Sequence, residues 1–148
     1  MTPSRHGIVR ETRGFTLIEA LVALLVLSIG LLGIASLQLT SLRFNQSAST
    51  RSQATLLAYD IIDRMRVNPQ VAANGGYDVD FAKSKTGAAL ADKDVQQWKG
   101  KLSTSLPAGD GRIVRVVGAT TTTYRVTIQW DDSRGQNQKT EFRMETQL

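Results

Sequence analysis

One stretch of this chain limits its fold more than any other. Residues 13–42 read Arg-Gly-Phe-Thr-Leu-Ile-Glu, then Ala-Leu-Val-Ala-Leu-Leu-Val-Leu-Ser-Ile-Gly-Leu-Leu-Gly-Ile-Ala-Ser-Leu-Gln-Leu-Thr-Ser-Leu, and from Phe15 onward the only charge is Glu19. A helix needs roughly 20 mostly apolar residues to cross about 30 Å of hydrocarbon. The run meets that length, so it sits either in a lipid bilayer or inside an assembly that hides it from water. Arg5, Arg10 and Arg13 precede it, and the larger, mixed-charge part of the chain follows. Basic flanks stay cytoplasmic, which predicts an inside amino terminus and an outside body.

Glu19 is the anomaly in that run. A charge at the bilayer centre costs about 2.5–3.5 kcal/mol on insertion scales. Either Glu19 lies close enough to the interface to reach water, or it needs a cationic partner when the helix packs among others. No basic residue follows Arg13 nearby. A free amino terminus created at Phe15 would supply the missing cation if the basic segment before it were removed.

The hexapeptide Gly14-Phe15-Thr16-Leu17-Ile18-Glu19, between a short basic leader and a long apolar helix, resembles the class III signal of type IV prepilins. The resemblance implies a prepilin peptidase that cuts between Gly14 and Phe15 and N-methylates Phe15. It also implies that Glu19, then fifth in the mature chain, pairs with a neighbouring subunit's amino terminus during assembly. An ordinary secretory signal has a shorter apolar core, about 7–15 residues, ending at small residues. Ile34-Ala35-Ser36 is the nearest candidate for such a site, and an uncleaved signal-anchor is the other alternative.

Beyond the anchor, 148 residues leave room for one small domain. There is no cysteine, which removes disulfide staples and thiolate metal sites and departs from the many type IV pilins that close a C-terminal loop with a disulfide. The net charge is +5; removing the leader's three arginines and one glutamate leaves fifteen basic and twelve acidic side chains, a net +3. A solvated mixed surface accounts for that excess. Without a basic run interleaved with aromatics, no nucleic-acid partner is expected.

Residues 1–14 form a polar, basic leader with Pro3. No proline or glycine falls between Gln38 and Asn68, so the helix is expected to continue past the apolar run to about residue 67. At 1.5 Å per residue it would be roughly 80 Å long. Residues 15–42 are then its membrane or assembly half and residues 43–68 its outer half. Leu39, Leu42, Ala48, Leu56, Tyr59, Ile62 and Met65 are expected to line the packed face. Asn68-Pro69 marks the stop. Gly30 and Gly33 either let neighbouring helices approach closely or are merely tolerated in a spanning helix.

Residues 69–148 are the expected head. Residues 71–87, with Asn74-Gly75-Gly76, read as a surface connection. Residues 88–102 read as an amphipathic helix: Val95, Trp98 and Leu102 share a face, with Asp92 and Asp94 toward the start and Lys99 and Lys101 toward the end. Residues 112–117, 123–130 and 139–147 read as three antiparallel strands. Tyr124, Val126, Ile128 and Trp130 alternate with Arg125, Thr127 and Gln129, and a turn is placed at residues 131–135. One sheet face should cover the outer half of the long helix. The fold class is α+β, a type IV pilin-like long helix against a small antiparallel sheet.

Chemistry-bearing patterns are sparse. The sole histidine, His6, lies in the leader. No nucleophile elbow, phosphate-binding glycine loop or zinc ligand set occurs. Asp131-Asp132 and the Asp78/Asp80 pair lack the acidic spacing of a calcium loop. The reading is a non-enzyme without metal or cofactor, itself an enzyme's substrate.

A longer resemblance narrows the family. Leu37-Gln38-Leu39, residues 42–48, 51–54, 58–60 and 63–68, then residues 106–111 and Ile128-Gln129-Trp130-Asp131-Asp132, resemble the PilV-type minor pilins. That resemblance implies a part in priming and assembly of the type IV pilus, and so in twitching motility or cell adhesion. Its partners would be prepilin peptidase, other minor pilins, the major pilin and a tip adhesin. The protein would sit in the bacterial inner membrane with a periplasmic head, then at the tip or base of the pilus. Two alternatives share parts of the pattern: a minor pseudopilin of a type II secretion system, and a single-span membrane protein with a periplasmic ligand-binding head.

Overall fold

The computed structural model describes residues 14–118, 121–132 and 139–148. The expected leader up to Arg13, with His6, and residues 133–135 of the expected turn lie outside the described residues. Helix α1 spans Leu17–Val67 without a break. After it come α2 (Pro69–Ala73), α3 (Leu90–Ser105), β1 (Asp110–Val117), β2 (Thr122–Asp131) and β3 (Lys139–Thr146). The long amino-terminal helix and small antiparallel sheet make the α+β architecture that the sequence pattern predicts.

The chain divides into two compact units, one ending at Arg43 and the other spanning Phe44–Leu148. In the first, α1 is exposed along its whole apolar run. The hydroxyls of Ser28 and Thr40 donate back to the carbonyls of Leu24 (2.7 Å) and Ser36 (2.9 Å), so these polar groups are satisfied inside the helix. Gly30 and Gly33 leave open space where a Cβ would stand, and neither interrupts the helix.

In the second unit, β2 lies between β1 and β3, antiparallel to both. Alternation in β2 turns Tyr124, Val126, Ile128 and Trp130 toward one core that α1 and α3 complete. Trp98 is fully buried there, and its indole N–H donates to the Leu57 carbonyl of α1 at 2.9 Å. It is a core residue, as its spacing predicts.

Several expectations need correction. The packed face of α1 is Ala54, Ala58, Ile61, Ile62 and Met65, whereas Leu39, Leu42, Ala48, Leu56 and Tyr59 are exposed. Alanines at one-turn spacing bring the helix backbone close to Trp98, and the larger side chains then have no room on that side. Residues 71–87 are not all connection, because α2 resumes helix right after Asn68, with Pro69 at a first-turn position where its missing N–H costs nothing. Helix α3 runs three residues past its expected end, and no basic residue falls in its last turn. Lys99 and Lys101 instead pair across elements, with Asp110 (3.0 Å) and Asp60 (3.1 Å). Thr127 and Gln129, on the sheet face opposite the core as the alternation predicts, are nearly buried all the same because flanking strands cover the central one.

Gly111 marks the tightest point of the head. A Cβ built there would stand 2.3 Å from Trp98 Cη2 and 2.6 Å from Leu102 Cδ1, whereas at Gly100, within α3, it would meet nothing. Gly111→Ala should therefore destabilise the head by about 1–3 kcal/mol through overpacking. Gly100→Ala should stabilise it by up to about 1 kcal/mol through helix propensity. Thermal unfolding followed by tryptophan fluorescence checks the two opposite shifts.

Candidate functional site

The residues singled out at the amino terminus cluster at the start of α1. Gly14 and Phe15 precede the helix, and Phe15 is 80% exposed. Thr16 stands at the N-cap: its Oγ1 accepts the Glu19 backbone N–H at 3.3 Å, and its carbonyl accepts the Ala20 N–H at 3.2 Å. Thr16-Leu17-Ile18-Glu19 thus has the Ser/Thr-x-x-Glu form of a capping box with its first half made. Thr16 was missed as a functional residue in the sequence reading, although that four-residue pattern announces it.

The Glu19 carboxylate is the sole acidic side chain in the first turn and has no hydrogen-bond or ion-pair partner among the described residues. A helix amino terminus carries roughly half a positive charge, so a carboxylate there is favourable. The same carboxylate remains free to take a cation from outside the chain. An amino group at Phe15 would feel the opposite effect, since it adds positive charge to a positive helix end. A carboxylate placed beside it would relieve that repulsion.

The following helix can carry such a pair into a membrane or a bundle. It is the one helix among the described residues long and apolar enough to cross a bilayer, with a mean hydropathy of 2.6 over its best window and none of that window buried.

In the head, several charged residues serve the fold. Arg64 of α1 pairs with Asp94 of α3 at 2.9 Å and with Asp60 at 3.4 Å. The Tyr77 hydroxyl donates to the other Asp94 oxygen at 2.9 Å; burial, and then this hydrogen bond, push its pKa up. Both aspartate pairs weighed for calcium are engaged otherwise. Asp78 accepts the Arg115 N–H at 3.1 Å, Asp80 accepts the Phe81 N–H at 2.9 Å, and Asp132 accepts the Ser47 hydroxyl at 2.7 Å. Asp131 N–H donates to the Pro107 carbonyl at 2.8 Å. Among the described residues no group of three or more His, Cys, Asp or Glu side chains is placed to hold a metal.

Asp110 locks the loop before α3. Its carboxylate accepts the Ala82 N–H at 2.6 Å and the Gly111 N–H at 2.7 Å, and it pairs with Lys99 at 3.0 Å. Ala82 sits in the left-handed region at φ 56°, a conformation that costs an alanine roughly 1–2 kcal/mol and that this anchor holds in place.

A membrane-capable helix carrying a processing-type hexapeptide, joined to a small helix-and-sheet head, defines a class of anchored fibre subunits. A model of the prokaryotic N-terminal methylation motif matches residues 10–35, and a model described as type IV pilin Tt1218 matches residues 36–97. The two matches abut, and the chain belongs to the type IV pilin family. Neither the curated proteins nor the solved structures gave a match. The family is structural rather than enzymatic. Its methylation motif implies processing by a prepilin peptidase and assembly with other pilins. The apolar helix fits anchoring in the inner membrane before entry into a pilus.

The Asp110 anchor predicts a pH dependence. Burial acts to raise this carboxyl's pKa, but the Ala82 N–H, Lys99 and the Gly111 N–H outweigh it and hold it below the usual range. A group depressed in the folded state contributes stability above its unfolded pKa, about 3.9, and loses it as pH falls through the folded value. Asp110→Asn should thus cost on the order of 1–2 kcal/mol at pH 7. The gap between variant and wild type should close as pH drops below about 4 in denaturant titrations run across pH.

Proposed function

We propose that this chain is a minor pilin of the PilV type that helps prime and assemble the type IV pilus. In this reading a prepilin peptidase cuts between Gly14 and Phe15 and methylates the new amino group. The protein waits in the inner membrane with its amino terminus inside and its head in the periplasm. It then leaves the bilayer to pack with other minor pilins and the major pilin near the tip or base of the fibre, next to a tip adhesin.

The observation that carries the reading is the Glu19 carboxylate, without a partner among the described residues, in the first turn of a helix whose apolar half to residue 42 holds no other charge. The cleaved, methylated Phe15 nitrogen remains a cation. In a low-dielectric bundle, the Phe15 amine of one subunit and Glu19 of the next attract each other far more strongly than in water. Removing one member of a buried ion pair costs about 3–5 kcal/mol, because the other charge is left uncompensated. The pair therefore selects for correctly stacked subunits more than it stabilises a single chain.

The nearest rival, a minor pseudopilin of a type II secretion system, is separated by phenotype. Deleting the gene should reduce surface pili and twitching and leave exoprotein secretion unchanged; lost secretion with normal pili would contradict the proposal. Glu19→Ala should insert into the membrane at normal levels. Its recovery in sheared pili should fall by at least about tenfold, the factor that roughly 1.4 kcal/mol gives. Immunoblots of membrane and pilus fractions measure both quantities.

A further inference from the structure

The sheet face turned away from the core holds charges that the fold does not use. The strand register sets Arg112, Thr127 and Arg143 side by side, one from each strand. With strands about 4.8 Å apart, the two arginine Cα atoms flank the threonine at roughly 10 Å from each other. Phe81 walls one side, its ring centroid 6.0 Å from the Arg112 guanidinium carbon. Arg125, two residues before Thr127 on the same face, turns its Nε to Glu145 at 2.6 Å. Phe81, the three arginines, Thr127 and Glu141 line a cavity of about 230 Å³.

Its charges are unevenly satisfied. Arg112 has one loose and exposed ion pair, to Asp80 at 3.4 Å. Arg143 has no hydrogen-bond or ion-pair partner among the described residues, and neither has Glu141. Three arginines and Glu141 line the cavity; Asp80 and Glu145, outside its lining, pair with Arg112 and Arg125, and the nearly buried Thr127 stands between Arg112 and Arg143. Like charges gathered on one sheet face repel unless something between them carries the opposite sign.

We propose that this cavity binds a tetrahedral oxyanion, a phosphate or sulfate group, clamped between Arg112 and Arg143 with the Thr127 hydroxyl as a third contact. The planar guanidinium fork offers paired N–H donors at the spacing of two oxyanion oxygens, and two long arginine side chains rooted about 10 Å apart on one sheet face can both reach such a group. Arg125, already bound to Glu145, adds positive field without closing the site. Glu141 opposes the anion and tunes the affinity down. The group is either a free inorganic ion or the terminal phosphate of a small ester such as a lipid headgroup.

The test uses the full chain in detergent micelles, titrated calorimetrically with inorganic phosphate, inorganic sulfate and glycerol 3-phosphate against chloride at matched ionic strength. Saturable binding of one equivalent is expected for both inorganic oxyanions and not for chloride. Tighter binding of glycerol 3-phosphate marks an ester as the source, and equal binding marks the free ion; either supports the site. Arg143→Ala should weaken binding at least tenfold, and Glu141→Gln should tighten it severalfold, which a merely structural Glu141 would not do. Lys93→Ala, which removes an equal charge from the exposed side of α3, should change nothing. Arg143→Lys keeps the charge should the alanine variant misfold, and it should still lose severalfold because an ammonium lacks the fork. Absence of saturation with either oxyanion overturns the proposal. So does Lys93→Ala weakening binding as much as Arg143→Ala, or Arg143→Lys binding as tightly as wild type.

Discussion

Everything about this protein follows from an apolar helix surface that water cannot solvate cheaply. From Leu17 to Leu42, α1 exposes leucine, isoleucine and valine on every side, and the hydroxyls of Ser28 and Thr40 are bonded back into its own carbonyls. At about 25 cal/mol per Å² of apolar surface, such a helix has a large free-energy gradient into lipid or into a bundle of similar helices. Transfer between those two environments costs little, because hydrocarbon and leucine side chains are alike. What the apolar surface cannot supply is direction, register or a signal to leave the bilayer. In the proposed reading a single carboxylate in its first turn supplies them, because an uncompensated charge in hydrocarbon is costly wherever the partner is wrong.

The head solves a different problem, which is to hold a three-stranded sheet on the outer half of the same helix with a small core. Three features achieve it. Alanines at positions 54 and 58 let α1 come close enough for the Trp98 indole to reach the Leu57 carbonyl. Gly111 lets β1 pass directly over the Trp98 ring. Partly buried ion pairs then tie the elements: Arg64 to Asp94 and Asp60 to Lys101 between the helices, and Lys99 to Asp110 between α3 and β1. Exposed pairs contribute little. Those with low side-chain exposure, such as Lys99 with Asp110, fix how α3 sits rather than adding much stability. The side of α1 opposite the core leaves Leu56 (69% exposed) and Tyr59 (49%) open to solvent.

Much of this was legible in the sequence because each element carried a strong local signal. The apolar run is uninterrupted, Asn68-Pro69 ends the helix, and β2 alternates cleanly. The family was legible from the leader hexapeptide, which is short but chemically specific. What could not be read was set by packing. Choosing the largest apolar residues put Leu56 and Tyr59 on the buried face, whereas close approach selected Ala54 and Ala58, which look neutral in a pattern count. Alternation put Thr127 on the face opposite the core but carried no sign of its burial, which comes from its place between two strands bearing long arginines. The ion-pair partners of Lys99 and Lys101, Asp110 and Asp60, lie outside α3, so a dipole argument local to that helix assigned them to the wrong interaction. At the amino terminus Glu19 stood out at once, whereas the capping role of Thr16 needed the helix start to be fixed first.

The central claim is that cleavage frees a cationic nitrogen beside the Glu19 carboxylates of neighbouring chains. Mass spectrometry of the amino-terminal peptide, from protein purified out of its native envelope, tests it most directly. The account predicts a mature chain beginning at Phe15 with one methyl group on its nitrogen. A chain that still carries residues 1–14 would contradict it, since the Phe15 nitrogen would then be an uncharged amide.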